Sequence, residues 1–459
     1  METPNQKKPI VIIGAGVSGL LFAQYLRKSG SRVPFRIFER DADLTTRGLG
    51  WGLTLHWSLP ALRSLLPEDI VRRLPEAYVD RAAVAEGRPS TFPFFDLSTG
   101  ELKAKTPTAD ESQRIRVTRE RLRRLLSTGL DIQACDMRCA SRVWNKAANG
   151  INTAEDGTVT VTFDDGTSCD GSLVVACDGG SSRIRGLLFP QHQKYRIPVR
   201  LLGVKIDCTP EEIEPLRKLD PYFLQGAASE NDSFVYCSVL DAPGNTPEGN
   251  GGKYTCQMVV SWPVRDGFFN QPKPIDFPET NESRVELIKK FAATWADPFR
   301  TVALSIPDNT DVKSLELYDW PPPKGLRTTG HVALVGDALH PMVMYRGEGA
   351  NHAILDVLDL VELVMPYLVD DERAEQHSTT AAVDLRAALD RYEDRVVSRT
   401  RPAVLASRQA CIDAHQWSRI NDKSPLLSRR AMNLVFDESD MDLGVHQASL
   451  PAVGVHVVE

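Results

Sequence analysis

Apolar residues run without interruption from Ile10 to Ile13, recur at helical spacing at Leu20, Leu21, Ala23 and Leu26, and return between Phe35 and Glu39. A strand apolar at every position needs cover on both faces, as strands of parallel sheets between helices have. The opening therefore reads strand, turn, helix, strand. Two further buried runs, "GSLVVACDGG" and "GHVALVGDA", each stop on an aspartate. Thr158 to Phe163 instead alternates apolar and polar positions before "DDG", which predicts a hairpin or meander. From about Arg196 to Pro323, alternating strands rich in aromatics are broken by Pro/Gly loops. From Asp356 onward the pattern is largely helical, fading to a polar tail after about Asp437.

These patterns predict an α/β fold assembled discontinuously, because short connections and right-handed crossovers favour inserting the β-rich region between parts of one sheet. A Rossmann-like domain would come from residues 1–80, 110–195 and 325–370, and a β-sheet domain from 81–109 and 196–324. C-terminal helices and a tail would fill 371–459.

Composition narrows the classes. The 459 residues are 42% hydrophobic and 25% charged, an ordinary globular balance. A net charge of −7 argues against a nucleic-acid partner. No run approaches the ~18 apolar residues of a membrane span. The polar opening "METPNQKKPI" does not resemble a secretory leader, so a cytoplasmic protein is expected. Eight cysteines include no CxxC and no Cys/His cluster, which predicts neither a disulfide framework nor a metal site. Oligomeric state is not legible.

Gly14, Gly16 and Gly19 set GxGxxG between the first strand and its helix. The first allows a tight turn, the second admits a pyrophosphate to the backbone, and the third lets helix and strand pack closely. The helix N-terminus then faces the phosphate charge. Glu39, followed by Arg40, ends the second strand about twenty residues on, where a carboxylate can accept both ribose hydroxyls. This unit suits an ADP moiety, carried by NAD or by FAD. The stretch "GDALHPMVMYRGEGANHAILDVLDL" decides between them. Asp337, after Gly336, sits at the carboxyl end of a strand, where open α/β sheets bind ligands, and can accept sugar-like hydroxyls. Gly347 and Gly349 let the backbone approach a flat ring. The helix beginning near Ala350 and Asn351 turns its positive end there, suiting the negative charge of a reduced flavin.

With "DGGSSRIR" from Asp178 to Arg185 as a third motif, the chain resembles the class A flavoprotein monooxygenases. These are the single-component, FAD-dependent family of para-hydroxybenzoate and salicylate hydroxylases, and the likeness extends to about residue 420. "GLGWGLTLHW" and "HPMVMYRGEGANHAI" are most similar to fungal members that tailor secondary metabolites. The resemblance implies FAD as cofactor, NAD(P)H as a transient reductant, and O2. The substrate would be an aromatic or polycyclic small molecule, hydroxylated or epoxidised through a flavin C4a-hydroperoxide. It also implies that Asp178, Ser182 and Arg185 serve FAD and the approach of NAD(P)H, and that Arg119 contacts FAD. Arg185 could meet a phosphate as a charge-assisted pair. Arg119 would lie in the first turn of a helix capped by Thr118, Arg47 is a further cofactor candidate, and Arg123 and Arg124 read as a solvated basic face. One departure stands out. Met344 occupies a position where related fungal sequences commonly carry proline, freeing a backbone that proline would fix.

Substrate contacts are expected from the inserted region, where Phe234 and Tyr236 share one face of "SFVYCSVL". His56, His340 and Arg346 are the catalytic candidates nearest the ring site. The alternatives are a flavin dehydrogenase or oxidase on the same fold and, from another class, a non-catalytic prenyl- or flavin-binding escort protein.

Overall fold

The computed structural model describes residues 7–31, 33–44, 46, 50–130, 141–143, 145–245, 251–369, 378–439 and 441. Its parallel sheet has the strand order Val332–Leu334, Leu173–Ala176, Ile10–Ile13, Phe35–Phe38, Ser141–Val143. Ile10, Val11 and Ile12 are wholly excluded from water, as the uninterrupted apolar run requires. Helix Val17–Ser29 lays Leu20, Leu21, Ala23 and Leu26 into the same core and ends at Gly30 in the left-handed conformation. Because the strands run parallel, their carboxyl ends share one edge. Gly14, Cys177 and Gly336 follow three of those strands, so segments more than three hundred residues apart in the chain meet there.

The alternating stretch forms Val159–Phe163, central to an antiparallel sheet with Ala148–Thr153 and Ser168–Gly171. A larger sheet has the order Val312–Asp319, Tyr195–Cys208, Tyr254–Pro263, Phe234–Asp241, Phe223–Ala227, Phe94–Asp96, Leu102–Ala104. Its pairings are antiparallel except that Phe94–Asp96 runs parallel to Phe223–Ala227. Residues of helices Asn281–Ala292 and Phe299–Leu304 join Trp262 and Met258 in the core beneath one face of this sheet.

Helix Ser378–Ala414 ties the two sheets together. The Tyr392 hydroxyl donates to the Leu334 carbonyl at 2.8 Å, on the parallel sheet. Arg408 Nε donates to Asp319 Oδ2 at 2.8 Å, at the end of an edge strand of the larger one. No described helix is long and apolar enough to cross a membrane. Among the described residues no group of His, Cys, Asp and Glu is arranged to hold a metal ion.

Candidate active site

At one end of the shared strand edge the chain turns at Gly14, whose φ is 104°. A Cβ there would stand 2.4 Å from the Cys177 carbonyl oxygen, and one at Gly19 would stand 2.1 Å from the Gly14 oxygen. Gly16 differs, for its nearest neighbour would be the Cys177 oxygen at 4.0 Å. It precedes helix Val17–Ser29 without any side-chain cap, so first-turn N–H groups are left for a ligand. Buried Glu39 accepts the N–H groups of Ala15 at 2.7 Å and Asp41 at 2.9 Å, which fixes its carboxylate at the strand end. Gly14, Gly16, Glu39, Arg40, Arg119 and Asp178 line one cleft. Asp178 Oδ2 accepts the N–H of Arg183 at 2.8 Å, while its buried Oδ1 has no partner among the described residues. Burial raises the Asp178 pKa against the pull of Ser182 and the amides that bond it.

A cavity of about 500 Å³ continues from this cleft, sharing Gly16, Arg119, Cys177 and Gly179 with it. Asp337, Gly347, Gly349 and Ala350 line its far part. Gly336, at φ 63°, is wedged where a Cβ would meet Ser18 Oγ at 2.9 Å and the Ala353 Cβ at 3.0 Å. Gly347, at φ 66°, turns the chain into helix Gly349–Leu363. The preceding Glu348 gives its carboxylate to Arg346 at 2.7 Å instead of capping the helix, which leaves the first-turn N–H groups to the cavity. Asp337 lies beside that turn. Burial raises its pKa, countered by the nearby charges of His340, Arg119 and Arg185. Cleft and cavity thus form one trough, with polar oxygens and an uncapped helix N-terminus at either end. Such a trough fits a long ligand with an ADP moiety at one end and an electron-accepting ring at the other.

The family model for an NAD(P)-binding Rossmann-like domain matches residues 12–54. The chain is also 42% identical to a protein of Arthroderma benhamiae named as a probable FAD-dependent monooxygenase, across 96% of this chain and 99% of that one. It belongs to the class A FAD-dependent monooxygenases. FAD-dependent monooxygenase tazP of Aspergillus terreus is 32% identical over 80% of this monooxygenase and 92% of its own length. Among solved structures, 2,6-dihydroxypyridine-3-hydroxylase of Arthrobacter nicotinovorans shares the fold. Its TM-score is 0.64 at 18% identity, covering 96% of this chain and 100% of that one. The monooxygenase uses FAD and NAD(P)H, and acts with O2 on a small molecule.

The monooxygenase departs from the motif reading at several residues. Buried Arg185 meets no open cleft. Its guanidinium donates to the carbonyl oxygens of Ala338 at 2.8 Å, Asp337 at 3.1 Å and Gly180 at 2.8 Å, clamping the two aspartate turns together. Asn351 is a bracket: its Oδ1 accepts from His56 N at 3.0 Å and its Nδ2 donates to Thr54 O at 2.9 Å. His340 is fully buried with Nε2 2.6 Å from Asp356 Oδ2, and it lines no part of the trough. His56 is likewise off the wall. Burial, then the charges of Arg430, Arg114 and Arg346, bring its pKa down to about 3, so it is neutral at pH 7. Arg346 is fully buried and bonded to Glu348, Pro425, Ser428 and Arg429, so it shapes the loop without reaching the cavity.

On the large sheet Tyr236 lines the cavity, whereas Phe234 packs on Tyr345 and His415 with ring centroids 5.0 and 6.0 Å apart. Thr118 precedes its helix as expected, but its hydroxyl donates to Leu240 O at 2.6 Å rather than capping. Arg123 is no solvated residue: it is buried, donates to Ala15 O at 3.0 Å and stands 3.6 Å from Glu39. Arg124 does face solvent, paired with Glu120. Arg47 lies outside the described residues.

Residues that no motif announced complete the wall. Gln225 sits opposite Tyr236 across two strands, and Ser238 sits opposite Gln257. Gln225, Tyr236 and Gln257 line the cavity with Arg116, Trp51, Met342, Met344 and Tyr345. A lone glutamine inside "YTCQMVVSW", all buried, is the signal that could have found Gln257.

Proposed function

We propose that the trough holds FAD extended, with the adenosine ribose at Glu39 and the pyrophosphate at Gly16 and Arg119. The flavin ring then lies against the first turn of helix Gly349–Leu363. The large-sheet wall takes an aromatic or polycyclic natural product for hydroxylation or epoxidation. The observation that supports this reading is the sharing of Gly16, Arg119, Cys177 and Gly179 between cleft and cavity. Residues 1–80, 110–195 and 325–370 then serve the cofactor, and 81–109 with 196–324 serve the substrate, in a cytoplasmic enzyme.

FAD, reduced by NAD(P)H, supplies the oxygen-transfer chemistry when bound. The chain's part is to hold and shield. Asp178 and Asp337 accept hydrogen bonds from hydroxyls of the ligand's sugar-like chain, and the uncapped helix N-terminus favours negative charge on the ring. Trp51, Met342 and Tyr345 keep water from the reacting faces. Asn351, Arg185 and Arg346 position the turns that carry these groups.

Incubation under isotopically labelled O2 tests the reaction. The expected result is NADPH consumption that rises with substrate and product carrying one labelled oxygen. Product without label would reassign the enzyme to the dehydrogenase or oxidase alternative.

A further inference from the structure

Buried arginines in this protein come with partners. Arg123, Arg217, Arg346, Arg399, Arg401 and Arg408 each stand within 3.6 Å of a carboxylate oxygen. Arg185 has its three carbonyls. Among the described residues Arg116 is the exception. It is 8% exposed and belongs to strand Ile115–Thr118, which pairs with Gly52–Leu55. Its NH1 donates to Thr54 Oγ1 at 2.9 Å and its NH2 to Ser238 Oγ at 3.1 Å, both neutral hydroxyls, with the Tyr236 hydroxyl also in reach. Its Nε is buried without an acceptor among the described residues. The acid whose field reaches it, Asp220, is engaged by the amides of Thr91, Tyr222 and Phe223.

An unpaired guanidinium buried this way is unfavourable, and burial lowers the Arg116 pKa accordingly. The surroundings nonetheless make room for it. Gly52 carries no side chain where a Cβ would stand 2.2 Å from NH2. The guanidinium lies 5.4 and 5.8 Å from the ring centroids of Phe223 and Tyr236. It forms a partition: Arg116 and Thr54 line both the main cavity and a second chamber of about 420 Å³.

We infer that Arg116 is a specificity-determining residue that receives an anionic oxygen of the substrate, a carboxylate or an ionised phenol, on an aromatic frame lying against Tyr236. This rests on the large-sheet wall being the substrate site, as proposed above. Of the four terminal guanidinium N–H groups, at least one remains for such an oxygen. The charge that the fold leaves unbalanced is then balanced by the ligand.

The test uses the FAD-loaded full-length protein, titrated with 1-hydroxy-2-naphthoate and with its neutral amide, reading the flavin difference spectrum. Wild type should bind the acid at least tenfold more tightly than the amide. In Arg116→Met the preference should fall below threefold, while Arg116→Lys keeps part of it. Gly52→Ala, which crowds the guanidinium, provides a second variant should Arg116→Met fail to fold. A bound phenol showing phenolate absorption below its solution pKa would identify the ionised hydroxyl, rather than the carboxylate, as the anion received. Equal binding of acid and amide by wild type, with no phenolate absorption from the bound compounds, overturns the inference. So does a tenfold preference surviving in Arg116→Met, or a flavin spectrum unmoved by either compound. Labelled-oxygen incorporation is read separately: its failure beside a clear acid preference would refute the oxygenation reading and leave Arg116 in its role.

Discussion

On the parallel-sheet side of the trough, many of the groups offered to a ligand are backbone: the turns at Gly14, Gly16, Gly347 and Gly349 and the first turns of two helices, beside the side chains of Glu39, Arg119 and Asp337. On the large-sheet side they are side chains, with Gln225, Tyr236 and Gln257 brought into line by strand register. The difference separates two jobs. Backbone donors stay the same whatever side chains flank them, which suits an unvarying cofactor. A wall of side chains can be changed residue by residue while its ladder hydrogen bonds persist, which suits a substrate that differs between relatives.

Substitutions can test this division. The largest effect is expected at Gly14→Ala, where a methyl group would meet the Cys177 carbonyl at a backbone angle other residues avoid. The strain and overlap should cost about 2–4 kcal/mol, and the purified protein should lack flavin absorption bands. A stable yellow variant would break the backbone half of the comparison. For folding stability alone, Arg346→Met should matter most, because it leaves Glu348 buried and uncompensated. A loss of about 3–5 kcal/mol in denaturant unfolding is expected. Adding Glu348→Gln should recover part of it, as a double-mutant cycle would show.

On the side-chain wall the expectation reverses. Gln257→Leu should retain FAD as wild type does and lower kcat/KM by about tenfold, or ~1.4 kcal/mol. Loss of flavin in this variant would erase the distinction between the walls. Acid provides a graded test that involves no substitution at either wall. Burial lowers the His415 pKa to about 4, and that of His56 is about 3, so both stay neutral in the fold. The unfolded chain binds more protons below pH 6.5, so stability should decline as pH falls from 6.5 toward 4. The slope is at most about 1.4 kcal/mol per pH unit for each histidine. Denaturant midpoints across that range check it, and His415→Gln should flatten the curve.

What could be read from the sequence follows the same division. GxGxxG and the Gly336–Asp337 turn are local, since a few adjacent residues define the geometry, and both lie where the spacing predicted. Arg185 defeated the reading because its acceptors include two carbonyls about 150 positions away. Arg123 looked solvated because nothing within "RERLRR" reveals that Ala15 and Glu39 wait across the fold. Arg116 is the plainest case. "RIRVT" alternates like a strand with a wet face, and that face is turned inward onto a cavity. Phe234 and Tyr236 do share a face, but only the latter reaches the cavity, since Tyr345 and His415 cover the former.

The loop bearing Gly347 is strapped down by a segment made much later. Arg346 donates to Pro425, Ser428 and Arg429, and Arg430 Nε returns a bond to the Arg346 carbonyl at 3.3 Å. On the ribosome, every strand of both sheets emerges before that segment does. A chain cut before Pro425 would keep every described strand and still lose the strap that fixes the Gly347 turn.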